Sequence, residues 1–278
     1  MKKILVPTDF SANSKSGVRF AIHWASQQEI ELVFVNVLYI LRAARWSDDY
    51  FEKYAEQEKE LCSTKFEKFI TGIYRQMNVK VGKYSTVIIE GISADISILD
   101  YCRKTSGIDY ICISTRGAGK FKKIFGTNTG NLITKSPIPV LAVPKNYKVT
   151  VIKSILYAAD LRNYAEEIKK VVVFAQPLKT KIDVVHFTWP DESSLDEKTI
   201  EAAFKKQFKY GLTLHFKKND GVHSIIENLQ KQIRIRKPSV VVMFTNQQRT
   251  FYQKLFLSSK SEELSFHAIV PLLVFNKK

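Results

Sequence analysis

The sequence predicts an α/β protein of two tandem domains, each a doubly wound parallel sheet. Three observations predict it. Short runs rich in Val and Ile alternate with longer amphipathic stretches, the pattern of strands buried between helices. The order of these segments recurs halfway along the chain at a nearly constant offset. The 278 residues suit two cores of about 140 residues better than one.

In chain order, residues 4–7 read as a buried strand and 11–27 as an amphipathic helix with Ser11 as N-cap. Residues 32–38 read as a second strand. A long charged helix is expected over 48–76, its sheet-facing stripe drawn from Phe51, Tyr54, Leu61 and Phe69. A strand follows at 84–90, a helix at 93–104 after Gly91, a strand at 110–114, a Gly-bearing loop, a short helix at 127–135 and a last strand at 140–143.

The second half repeats this order. Ile4-Leu5-Val6 followed by Asp9 matches Ile155-Leu156-Tyr157 followed by Asp160 at an offset of 151, and Asn36 matches His186 at 150. Residues 91–114 match 221–244 at 130, and Ile138-Pro139-Val140-Leu141 matches Val270-Pro271-Leu272-Leu273 at 132. Tandem duplication accounts for this, with domains expected over 1–147 and 148–278. The short polar connection near 145–153 and the repeat together predict domains docked about a pseudo-twofold axis, the single-chain counterpart of a symmetric dimer. Pairing of the whole chain into a homodimer through its terminal edge strands is a second assembly open to it.

Composition excludes several classes. No apolar run approaches the roughly 18 to 20 residues of a membrane span, so no membrane partner is expected. The opening MKKILVPTDF reads as a first strand and not a signal peptide, which points to the cytoplasm. Cys62, Cys102 and Cys112 are odd in number and lack C-x-x-C spacing, so they are expected as reduced core or helix residues. The net charge of +16 is shared along the chain: residues 1–148 carry 22 Lys and Arg against 14 Asp and Glu, and the rest carry 21 against 13. With no RNA- or DNA-binding motif beside it, nucleic acid is the least supported partner.

One stretch concentrates chemistry, from Ser114 through Arg116, Gly117 and Lys120 to Gly126, Thr127, Asn128 and Thr129, between a strand and a helix. Loops at the carboxyl ends of parallel strands surround the ligand crevice of α/β sheets. A helix opening at Gly126-Thr127 would aim free N–H groups and its dipole at an anion. A phosphate suits that place. The alternative is that the glycines only shape a turn and Thr127 only caps the helix. Neither a G-x-x-x-x-G-K-[ST] loop nor a G-x-G-x-x-G loop after the first strand is present, so this is not a P-loop enzyme or an ordinary dinucleotide fold.

Thr8-Asp9 after the first strand, the Thr115-Arg116-Gly117 loop, Gly126-Thr127 and the closing Ser136-Pro137-Ile138-Pro139-Val140-Leu141 segment together resemble the universal stress protein (UspA) family in its tandem two-domain form. The resemblance implies a Rossmann-like, adenine nucleotide alpha hydrolase-like fold. It also implies binding of ATP, or of AMP or ADP, with magnesium accompanying the phosphates and no protein-bound metal. Carried over residue by residue, Pro7, Thr8, Asp9, Val37, Ile113, Ser114, Arg116, Gly117, Gly126, Thr127 and Asn128 would form the nucleotide site, with Asp9 near the adenosine, Val37 lining the adenine pocket and Gly117, Gly126, Thr127 and Asn128 on the phosphates. The family pattern is Gly, two residues, Gly, nine residues, then Gly followed by Ser or Thr. This chain departs from it twice: Ser114 stands in the place of the first Gly, and eight residues separate Gly117 from Gly126. Asp9 as a simple helix cap and Val37 as plain core are the competing readings.

In the second half the equivalent loop has Ser258 and Ser259 in place of Gly126 and Thr127, with Phe251, Tyr252 and Phe256 where the first half keeps small residues. No nucleotide is expected there. His23, His186, His215, His223 and His267 show no metal spacing, and no catalytic constellation appears, so slow ATP hydrolysis is the most that is expected. Two functions follow: a stress-response regulator that senses a nucleotide through its first domain and signals to a regulatory protein partner, or a nucleotide-free interaction scaffold.

Overall fold

Runs such as ILVP and ELVFVNVL form strands because Val, Ile and Phe suit a pleated surface covered on both faces, the condition of a parallel sheet. The computed structural model describes residues 1–115, 127–161, 163–188, 197–218, 225–245 and 270–276. The chain divides into two units, Met1–Val149 and Thr150–Lys278.

The first unit runs β1 (Lys2–Pro7), α1 (Lys15–Ala25), β2 (Ile30–Leu38), α2 (Asp48–Met77), β3 (Tyr84–Glu90), α3 (Ala94–Lys104), β4 (Tyr110–Ser114), α4 (Thr127–Lys135) and β5 (Val140–Val143). Its strands are parallel, in the order β3-β2-β1-β4-β5. The order reverses at β1, between β2 and β4, which places a crevice at the carboxyl ends of those three strands. Ile4, Leu5, Leu32, Phe34 and Ile111 are buried at the centre, flanked by Phe20, Ile22 and Trp24 from α1. Gly17 lets α1 press on β4, because a Cβ there would lie 2.8 Å from the Ser114 backbone nitrogen.

Two helices differ from the expectation. α1 begins at Lys15, not near residue 11, because Ser11 and Ser14 are engaged in the turn that leaves β1 and the Ser14 side chain does not cap the helix. On α2 the buried stripe is Ala55, Cys62, Phe66, Ile70 and Ile73, and Leu61 is 65% exposed. Leu61 adjoins Cys62 and so sits about 100° around the helix from the covered face. α2 starts at Ser47, whose side chain accepts from the Tyr50 N–H at 3.3 Å with Asp48 and Asp49 in the first turn, and ends at Asn78 in the left-handed conformation.

The second unit contains β6 (Ser154–Ala159), α5 (Tyr164–Ala175), a 3₁₀ turn at Gln176–Leu178, β7 (Lys181–Thr188), α6 (Glu197–Gln207), β8 (Leu212–Lys218), α7 (Ile225–Arg236), β9 (Val240–Thr245) and β10 (Leu272–Asn276). Its parallel order is β8-β7-β6-β9-β10. The strand registers reproduce the sequence offsets. Ile4 faces Leu32 and Tyr110, and Ile155 faces Ile182 and Val240. Phe10 and Leu161, also 151 apart, both take positive φ, 61° and 59°. No helix among the described residues is long and apolar enough to cross a membrane.

Candidate functional site

The turn after β1 builds one wall of the crevice. Thr8 continues the ladder by donating its N–H to the Val35 carbonyl at 2.8 Å, and the chain then leaves the sheet through Phe10. Side chains replace the lost backbone pairing. The Phe10 N–H donates to Thr8 Oγ1 at 3.1 Å and the Ser11 N–H to Asp9 Oδ1 at 3.0 Å, two short loops of the kind that stabilise a left-handed residue. Ser14 Oγ lies 2.8 Å from Thr8 Oγ1 and donates to the Ser11 carbonyl at 2.9 Å. Partial burial would push the Asp9 carboxyl up, but hydrogen bonds from Ser11 and Ser14 outweigh it and hold Asp9 below its ordinary range.

β2 outlasts β1. Even-numbered residues of β2 bond toward β3, as the Leu32 N–H to Lys83 and the Gly91 N–H to the Leu38 carbonyl show, while Val35 bonds toward β1. The next odd residue, Val37, therefore turns its N–H and C=O toward the side that β1 has vacated. Asn36 spans the same gap, donating from Nδ2 to the Thr8 carbonyl at 2.8 Å and accepting from Cys62 Sγ at 3.3 Å.

The opposite wall comes from β4, α3 and α4. The Ser114 hydroxyl donates to the Asn13 carbonyl at 2.5 Å and sits 2.5 Å from Ser16 Oγ, so it ties the start of α1 to the end of β4. Thr129 Oγ1 donates to the Ser114 carbonyl at 3.3 Å. Asp95, buried at the start of α3, accepts from Ser93 Oγ at 2.5 Å and from Asn131 Nδ2 at 2.7 Å, joining α3 to α4. Burial would raise its carboxyl, yet these bonds and the backbone N–H groups of Asp95 and Ile96 hold it down.

The resulting crevice has a volume of about 150 Å³. Of the residues expected at the site, Pro7, Thr8, Asp9, Val37, Ile113, Ser114 and Asn128 line it together. Arg116, Gly117, Lys120 and Gly126 lie outside the described residues, as does the Thr127 side chain, although Thr127 opens α4. Thr129, read in the same stretch as Asn128, lines it as well, while Asn36, Ser11, Asn13, Ser14, Ala94 and Ile98 also line the crevice and escaped the sequence reading. Asn36 carried a signal, being the one polar residue in the buried centre of an apolar strand. The serines after β1 carried another. Among the described residues no cluster of His, Cys, Asp and Glu could hold a metal ion.

The profile of the universal stress protein family matches residues 1–144, more than half the chain. The chain belongs to the universal stress protein family. A universal stress protein from Archaeoglobus fulgidus is similar over 99% of this chain and 98% of its own, with a TM-score of 0.71 at 14% identity. A putative universal stress protein from Pseudomonas aeruginosa is similar over 99% and 93%, with a TM-score of 0.52 at 14% identity. A protein of unknown function from the same species matches over 99% and 92%, at 0.55 and 15%. These likenesses extend the fold across both halves. No curated protein matches the sequence.

The second half of this universal stress protein keeps the frame and packs it with different side chains. His186 Nδ1 meets the Ala159 carbonyl at 3.0 Å, as Asn36 meets Thr8. Where the first half has Val6, Ser16 and Ser114, the second has Tyr157, Glu167 and Phe244. The buried Tyr157 hydroxyl donates to the buried Glu167 carboxylate, and burial with that neighbouring charge pushes the Tyr157 phenol well above its ordinary value. Phe244 packs edge-on against Tyr157 at 5.6 Å and stacks on Phe275 at 4.8 Å. The substitutions at Phe251, Tyr252, Phe256, Ser258 and Ser259 lie outside the described residues.

Proposed function

We propose that this universal stress protein binds an adenine nucleotide, ATP or its mono- or diphosphate, in its first half and acts as a stress-response regulator through occupancy of that site. One observation carries the reading. The Val37 N–H and C=O face a crevice whose far end is the start of α4, so a hydrogen-bonding edge for a flat base and a helix N-terminus for phosphates share one cavity. Thr8, Asp9 and Asn128 line the same crevice and offer polar groups for the sugar and phosphates. Magnesium would arrive with the phosphates. Among the described residues that line the crevice the side chains offer recognition and no positioned general base, which supports binding as the activity.

A second reading has its own support. The Ser114 hydroxyl, in the place of the family's first Gly, is already committed to Asn13 and Ser16, which favours a closed scaffold that works through protein contacts alone.

Calorimetric titration of nucleotide-stripped protein with ATP and magnesium separates them. The regulator predicts one site with a Kd on the order of micromolar, lost in Gly126→Asp, which sets a carboxylate where phosphate belongs. No heat and no thermal shift at millimolar ATP would leave the scaffold.

A further inference from the structure

The positive charge, even along the chain, is uneven in space. At the strand-start end of the second half's strands, Lys209 precedes β8, Lys179 and Lys181 stand at the start of β7, Lys153 precedes β6 and Lys237 precedes β9. These are four adjacent strands. With strands about 4.8 Å apart, the five exposed lysines form a row about 15 Å long. Their segments are tied together: the Lys181 N–H donates to the Lys153 carbonyl at 3.4 Å, the Lys153 N–H to Ser239 Oγ at 3.0 Å and the Tyr210 hydroxyl to the Thr180 carbonyl at 2.7 Å.

Among the described residues nothing nearby neutralises the row. Residues 150–154, 176–182, 207–213 and 234–241 hold no Asp or Glu. The neighbouring Asp183 is taken up by His215 at 2.6 Å and Arg236 at 3.4 Å. Among the described residues none of the five lysines has a carboxylate partner.

The first half supplies the comparison. By the strand registers, Lys153, Lys179, Lys181, Lys209 and Lys237 correspond to Lys2, Glu29, Glu31, Val81 and Gly107. Cations suit helix C-termini, but at the same edge of the first half Lys3 and Lys83 pair with Glu31, so helix dipoles do not demand a row free of carboxylate partners. Lys237 also holds φ at 47° where its counterpart Gly107 has 83°, a left-handed conformation that favours glycine over any side chain.

From this row we infer that the second half docks a single strand of nucleic acid across the strand-start edge of its sheet, by its phosphates and without reading sequence. A line of cations along one sheet edge suits a linear polyanion, whose phosphates follow one another along the strand. Lysines act as point charges on phosphate and carry no base code. A lipid surface is gripped by inserted Trp, Phe or Leu as well as by charge, and the exposed apolar side chains in these stretches are only Val151 and Ile235.

The test is fluorescence anisotropy of a labelled thymidine 20-mer with the full chain across a salt series starting at about 50 mM. Lys153→Gln/Lys181→Gln/Lys209→Gln is compared with Lys80→Gln/Lys104→Gln/Lys135→Gln, which removes equal charge from exposed sites of the first half. Binding should fall with salt, with a slope shallower by about 2 in the first triple variant, at about 0.7 per lost phosphate contact, and unaltered in the second. If the first triple variant does not fold, Lys181→Gln alone should give about 0.7. Absence of binding by the wild type, equal slope changes in the two triple variants, tighter binding to a duplex of the same length, or binding to phosphatidylserine vesicles in preference to the oligonucleotide would each overturn the inference.

Discussion

At the residue scale, two side-chain positions hold the crevice together. Gly17 faces backbone, not a movable side chain, with the Ile113 carbonyl carbon at 3.1 Å and the Ser114 nitrogen at 2.8 Å from an added Cβ. Gly17→Ala would push α1 off β4 at the point where Ser16 meets Ser114, and should destabilise by about 1–3 kcal/mol despite its better helix propensity; a chemical-denaturation midpoint equal to wild type would show that α1 has room to shift. Asp95 acts through charge. Its carboxyl is held below its unfolded value by Ser93, Asn131 and backbone N–H groups, so the stability it contributes is present above about pH 4 and is lost as pH falls through the folded value. Asp95→Asn should cost about 1.5–3 kcal/mol at pH 7, and the difference from wild type should shrink in melts taken toward pH 3. A difference independent of pH would mean that shape, not charge, matters there.

At the element scale, much was legible. The nine elements of the first half follow from apolar periodicity, because strands buried on both faces and long amphipathic helices leave strong, distinct patterns. The start of α1 did not, since Ser11 is a good N-cap by type and only the left-handed Phe10 and the Thr8-Ser14 contact reveal that the chain is still turning. The covered face of α2 was misplaced for a related reason. Its sequence scatters aromatics around the helix, and Trp46 packs with Tyr50 and Tyr54 at 5.1 and 4.8 Å away from the sheet, so hydrophobic character alone does not mark the buried side. The difference is measurable: Phe66→Ala should cost about 3–5 kcal/mol, whereas Leu61→Ala should stay within about 0.5 kcal/mol. Comparable losses from both would return the stripe to the position expected from sequence. Asp9 and Val37, named from the resemblance, line the crevice, but the commitment of Ser114 to α1 was not legible, because it depends on the close approach that Gly17 allows.

At the scale of the whole molecule, the second half retains the frame of the first with other side chains in its packing. The strand registers, the left-handed residue after the first strand and the polar bridge from the second strand all persist, which marks them as parts of the frame. At the positions of Val6, Ser16 and Ser114 the second half carries a buried polar pair beside an aromatic ring, Tyr157 with Glu167 against Phe244. Such a pair is costly to break from one side. Tyr157→Phe deprives the Glu167 carboxylate of this donor and should lower stability by about 1–3 kcal/mol. If the nucleotide belongs to the first half alone, the same variant should bind ATP within twofold of wild type and gain as much thermal stability from saturating ligand, since that gain depends only on ligand concentration and affinity. Denaturation and calorimetry on the one variant read both quantities. A fall in ATP affinity matching the loss of stability would instead tie nucleotide binding to the second half, and the division of labour between the two repeats would have to be redrawn.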